Sequence, residues 1–235
     1  MPGHRHRAVL ARLSLACCLS FSISGPVLAA ATQSPAEVDL FRAVQMNRAA
    51  GVKKSLAAGV DPNARDLGGE TALIVAIRND ANDAATVLMD QPGVELEAKA
   101  PNGNTALMMA AFRRNQPLVV DLIRRGARIN PPTHQPGWTA LHYAAAGGSA
   151  EITSLLLDHQ AAIDAESPSG MTPLMMAARE GQEDAVKVLL ARGANAALKD
   201  GGFHLTASGF AMKADKPWIA KAIDAHLAAQ RAKPR

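Results

Sequence analysis

Cysteine is nearly missing from this 235-residue chain: the two present, Cys17 and Cys18, adjoin each other near the start. Both lie in an apolar run, Leu13 to Ile23, behind a basic leader of His4, Arg5, His6, Arg7 and Arg12. Gly25-Pro26 then breaks any helix, and Val27-Leu28-Ala29 offers small residues for cleavage. The pattern predicts a secretory signal peptide over 1–29, cut after Ala29 or Ala31. The run is too short to span a bilayer, which takes about 20 residues. No adjacent arginine pair marks a twin-arginine leader. Acylation of Cys17 is not expected, because Ser14 stands where an aliphatic residue would be needed. With the leader gone no cysteine remains, so no disulfide can staple the mature chain.

Charge of one sign is also lacking. The formal net charge is +4, but the leader carries three arginines and no acid, which leaves the mature chain at +1. Nucleic acid and anionic membrane are therefore not expected partners. Lys213, Lys216, Lys221, Arg231, Lys233 and Arg235 form a basic bias at the C-terminus, read as a solvated cap and tail.

Catalytic patterns are absent as well. There is no G-x-S-x-G and no phosphate loop with a lysine. Gly68-Gly69 and Gly201-Gly202 carry no dinucleotide pattern, and Glu95, Glu97 and Asp164 are scattered singly. No pair among His134, His142, His159, His204 and His226 has zinc spacing. Ser149 lies near His142, but nothing marks an oxyanion site. No catalytic, cofactor-binding or metal residue is expected, and the chain is read as not an enzyme.

What is present is a period. Thr71, Thr105, Thr139, Thr172 and Thr206 are spaced by 34, 34, 33 and 34 residues. Four of them open Thr-Ala-Leu or Thr-Pro-Leu, and an alanine follows five residues later: Ala76, Ala110, Ala144, Ala177 and Ala211. An aliphatic pair comes about seventeen residues on, as in Leu88-Met89 and Leu189-Leu190. Gly59, Gly93, Gly126 and Gly193 close units, with Gln160 standing in for one of them, and Arg114 falls where a glycine is frequent. Each threonine can cap a helix start, and the closing glycine suits a left-handed C-terminal residue. No unit can bury its apolar face alone, so stability must come from stacking.

Met171 to Asn195 reads MTPLMMAAREGQEDAVKVLLARGAN, and Trp138 to Leu157 reads WTALHYAAAGGSAEITSLLL. These residues resemble the ankyrin repeat, in an exported bacterial form, over about 36–229. The resemblance implies an all-α repeat solenoid, a stack of helix-turn-helix units joined by β-hairpin-like turns. The units are 36–66 as N-cap, 67–99, 100–132, 133–165, 166–198 and 199–229 as C-cap. Residues 30–35 are expected to be a disordered lead-in and 230–235 a flexible tail. His142 matches the histidine of the repeat motif, which implies a structural hydrogen bond near the turn. Of Met108-Met109 and Met175-Met176, one methionine of each pair is expected to pack and the other to line the inner face.

The resemblance also implies where a partner binds: hairpin tips and the exposed part of the first helix. On this chain those are Glu70, Asn104, Trp138 and Met171 at the tips, and Arg78, Phe112, Arg113, Arg179 and Glu180 on the first helices. Leu67, Asn102, Gln135 and Ser169 lie earlier in the tips. Trp138 is one of two tryptophans among eight aromatics, and at a tip it has little packing reason to be there. Tryptophan and arginine are enriched at interface hot spots. Trp138→Ala with Arg113→Ala should thus weaken a complex with little change in thermal stability. The function expected is a non-catalytic interaction protein, monomeric, periplasmic or secreted from a Gram-negative bacterium. Its partner would be another protein, with no stable membrane insertion after cleavage. The second reading is an accessory or protective factor for a periplasmic enzyme, such as in oxidative-stress defence.

Overall fold

The computed structural model describes residues 33–130 and 137–232. The leader and its cleavage points, Pro131-Pro132, His134, Gln135 and residues 233–235 lie outside the described residues. Among those described are twelve helices, no strand and a single antiparallel bridge, Arg65 to Thr71. The helices form six consecutive pairs. The first helix of each pair is α1 (Pro35–Gln45), α3 (Ala72–Arg78), α5 (Ala106–Phe112), α7 (Ala140–Gly147), α9 (Pro173–Glu180) and α11 (Ala207–Lys213). The second is α2 (Ala49–Ala57), α4 (Asn82–Met89), α6 (Gln116–Arg124), α8 (Ala150–Asp158), α10 (Glu183–Ala191) and α12 (Pro217–Arg231). The fold is an all-helical repeat solenoid.

The five threonines do what their spacing predicts. Each hydroxyl accepts the backbone N–H three residues on, at 3.4 Å for Thr71, Thr105, Thr139 and Thr172 and 3.2 Å for Thr206. The first unit has no such threonine. Ser34 caps α1 instead: it accepts from Glu37 N, and the Glu37 carboxylate accepts from Ser34 N at 2.6 Å. Gln33 also donates to Arg65 O at 3.2 Å. The expected lead-in therefore loses residues 33–35 to the fold, because a capping box satisfies the free amides of a helix start. At the other end α12 reaches Arg231, so Gln230 and Arg231 are helical rather than tail.

Each first helix ends in a left-handed residue: Asn47, Asp80, Arg114, Gly148, Gly181 and Asp215. The chain then doubles back, and the next amide bonds the carbonyl of the fifth-position alanine, as in Ala81 N to Ala76 O at 2.8 Å and Lys216 N to Ala211 O at 2.8 Å. Those alanines are fully buried. A larger side chain there would hold neighbouring helices apart. The first helices consequently pack more closely on one another than the second helices do.

Between pairs the chain turns as a narrow hairpin, with Asp66 N on Glu70 O, Ala100 N on Asn104 O and Ser167 N on Met171 O, all at 2.9 Å. Side chains also tie unit to unit. The Asn63 amide donates to Gly93 O at 2.9 Å and accepts from Glu95 N at 2.8 Å, and Asn130 does the same with Gln160 O and Ala162 N. Glu97 and Asp164 accept Arg128 N and Asn195 N from the following unit. Both methionines of the Met175-Met176 pair are buried, against the expectation that one would line the inner face; Met108 is half-buried beside buried Met109.

Candidate functional site

The inner row is generated by one repeated geometry. Positions four past each threonine, Val75, Met109, Tyr143, Met176 and Phe210, lie in one column; positions seven past form the next, Arg78, Phe112, Ala146, Arg179 and Lys213. Helical residues three or four apart share a face. In the first column all are buried except Tyr143, which is half-buried.

Tyr143 is the centre of an aromatic cluster. Its ring lies 6.0 Å from Phe112, edge to face at 83°, and 6.3 Å from Trp138. Trp138 in turn stands edge-on to His142 at 5.3 Å. The Tyr143 hydroxyl donates to Asn104 Oδ1 at 2.5 Å, and burial holds it above the usual phenol range. Phe112 is 51% exposed, so it is the open end of this cluster. Tyrosine was not singled out from sequence. The available signal was its uniqueness in the chain and its place in an otherwise apolar column, where a hydroxyl must find a partner.

The other expected residues divide. Met171 and Asn104 are only 7% and 8% exposed, so neither offers tip surface. The Met171 carbonyl is bonded by both Ser167 N and the His142 ring, which draws its arm against the stack. Trp138 is half-buried on His142 and Tyr143, so it does have a packing role, contrary to the expectation for a tip tryptophan. Every arginine of the set is already paired: Arg78 with Glu70, Arg113 with Asp80, and Arg179 with Glu180 at 2.8 Å. The Asp80 hydrogen bond raises Arg113 above its usual value. Leu67, at an earlier tip position, is 82% exposed.

The residues that could have suggested catalysis are spent on structure. Ser149 Oγ accepts Ile152 N at 3.2 Å and caps α8. His142 is wholly buried. Its Nδ1 accepts from Thr139 N at 3.2 Å, so Nε2 carries the hydrogen and donates to Met171 O at 2.9 Å. Burial pushes its pKa down to about 4, against the raising influence of the Met171 and Ala165 carbonyls. Among the described residues no group of three His, Cys, Asp or Glu could hold a metal, and no helix is long and apolar enough to cross a membrane.

Comparison with known proteins places this architecture. The family model for ankyrin repeats (3 copies) matches residues 40–133 and 108–200. The human neurogenic locus notch homolog protein 2 is 36% identical over 137 residues, 58% of this chain and 6% of that protein. The human neurogenic locus notch homolog protein 1 is 33% identical over 157 residues, 67% of this chain and 6% of its own length. The human transient receptor potential cation channel subfamily A member 1 is 28% identical over 162 residues, 65% of this chain and 14% of that protein. The likeness thus covers a small part of each relative and is a likeness of repeat arrays.

Proposed function

This chain belongs to the ankyrin-repeat family, and on that premise we propose that it is a non-catalytic module that binds another protein through its concave face. The observation that carries the reading is the Phe112–Tyr143–Trp138 cluster on the inner row. Phe112 is open to solvent while the Tyr143 ring, itself packed against Trp138, holds it in place. A rigid aromatic anchor loses little conformational freedom on binding, which is why such residues dominate interface energetics. The ion pairs around it fix the neighbouring arginines and keep the rim polar.

The basic leader and apolar run support export, with the mature chain acting in a periplasm or outside the cell. A solenoid without disulfides suits that setting only through its stacking, and six units supply it.

The test is capture on the immobilised chain from periplasmic extract, run beside Phe112→Ala. A partner held by the parent chain and released by the variant supports the proposal. Equal retention by both places the binding surface elsewhere.

A further inference from the structure

The last unit breaks the charge pattern of the inner row. In the earlier units the two arginines of that column, Arg78 and Arg179, each have a carboxylate. Lys213 occupies the same position in the last unit, yet among the described residues neither it nor Lys216 has a carboxylate partner. Instead Lys213 Nζ stands 3.2 Å above the centre of the Phe203 ring, and Lys216 Nζ lies 5.4 Å from the centre of Trp218. A ring face attracts an ammonium but leaves its charge uncompensated. Both rings are open, 63% and 52% exposed.

This arrangement is held in place. Asp200 accepts the amides of Gly202, Phe203 and Leu205 at 2.9, 2.8 and 2.8 Å, which fixes the loop that carries Phe203. Phe203 also packs edge-on to Phe210. The Lys216 stem lies across Gly181 of the preceding unit, where an added Cβ would meet Lys216 Cε at 3.1 Å. Two aimed cations, each beside an exposed ring, complement carboxylates on a partly apolar ligand.

We propose that the last repeat binds acidic side chains of the same partner segment whose apolar residue seats on Phe112 and Tyr143. The inference rests on the concave-face reading above. A bilayer carries similar charge, but Lys213 lies in the same column as Phe112, so one extended chain can run along the row from one to the other. Packed helices sit about 8–10 Å apart, so Phe112 and Lys213, three units apart, are separated by roughly 25 Å. An extended chain covers that in about eight residues. The ligand is therefore a segment with an aromatic or large aliphatic residue about eight positions from an acidic pair.

The test uses the full chain and a displayed library of random 14-residue peptides (about the span just estimated plus flanks). Enriched peptides are then measured by fluorescence anisotropy. Enrichment of acids at that distance from an apolar residue is expected, with affinity falling about tenfold or more in Lys213→Glu with Lys216→Glu. Lys213→Gln with Lys216→Gln should give a smaller loss in the same direction and a shallower salt dependence. Enriched peptides that respond to Phe112→Ala but not to the lysine variants overturn the inference and leave the concave-face reading standing. Peptides that respond to the lysines but not to Phe112→Ala overturn that reading and with it the shared segment. A library that yields no acidic binders overturns the inference. So does sedimentation with phosphatidylglycerol vesicles that the lysine variants abolish, since the cations would then serve a membrane.

Discussion

His142 reaches from one repeat into the next: its Nε2 donates to the carbonyl of Met171 at 2.9 Å while its Nδ1 accepts from Thr139 N. One imidazole thus closes the cap of its own helix and fastens the following unit. The bond from Thr139 N requires the neutral ring, whereas the bond to Met171 O can be made by either protonation state. A second proton on Nδ1 would remove the acceptor for Thr139 N and bury a charge.

The first prediction follows from that ring. Its pKa falls from 6.5 to about 4 on folding, because burial disfavours the charged form. A depressed folded-state value contributes stability that is full above about pH 6.5 and is lost as pH falls toward 4. The whole contribution is about 3 kcal/mol. Urea unfolding between pH 7 and 4 should show this loss. His142→Met, which copies Met175 at the same repeat position, should flatten it. An unchanged acid slope in that variant would assign the titration to other groups.

Thr153 is wholly buried in α8, and its hydroxyl has no hydrogen-bond partner. The matching positions of other units are Ala85, Val119 and Val186. Thr153→Val keeps the shape and removes the unsatisfied group. It should raise stability by about 1 kcal/mol, read as a higher denaturation midpoint with an unchanged slope. A drop in the midpoint would mean that the hydroxyl is satisfied in solution.

Gln160 follows the C-cap of α8 at φ +64°, where Gly59, Gly126 and Gly193 end other units. A side chain in the left-handed region is strained by about 1 kcal/mol. Gln160→Gly should relieve part of this and raise the melting temperature by a few degrees. The bond from Asn130 goes to the Gln160 backbone carbonyl, so the substitution keeps it.

Trp138→Ala should destabilise the chain by about 2 kcal/mol, since the ring supports both His142 and Tyr143. Phe112→Ala, at an exposed position, should change stability by less than about 0.5 kcal/mol. Thermal melts of the two variants decide between a structural and an exposed role. A silent Trp138→Ala would restore the expectation made from its place at a turn tip.

Much of the fold was legible because its signals are local. A threonine three residues before the amide it caps, an alanine whose carbonyl the reversing chain must reach, and a glycine at a left-handed helix end all act within one unit. Periodicity then multiplies them, so the spacing of Thr71 through Thr206 located five of the six helix pairs. Ser34 was harder to read because the first unit caps its helix with a different residue.

The candidate site was only partly legible. Chain position put Phe112 and Arg179 on first helices, where α5 and α9 hold them, and Arg113 follows directly as the C-cap of α5. Chain position could not tell that Arg113 meets Asp80 from the preceding unit, because that contact joins residues 33 apart. It passed over Tyr143, whose neighbours Phe112 and Asn104 also come from the preceding unit.

By itself the sequence determined the period and the threonine caps of five units, since each cap depends on residues within a turn of chain. Only the tertiary structure decided which inner-row residues remain open. Exposure depends on what adjacent units lay against a side chain. That contact buried Met171 and Asn104, paired Arg113 with Asp80, and left Phe112, Phe203 and Trp218 facing solvent.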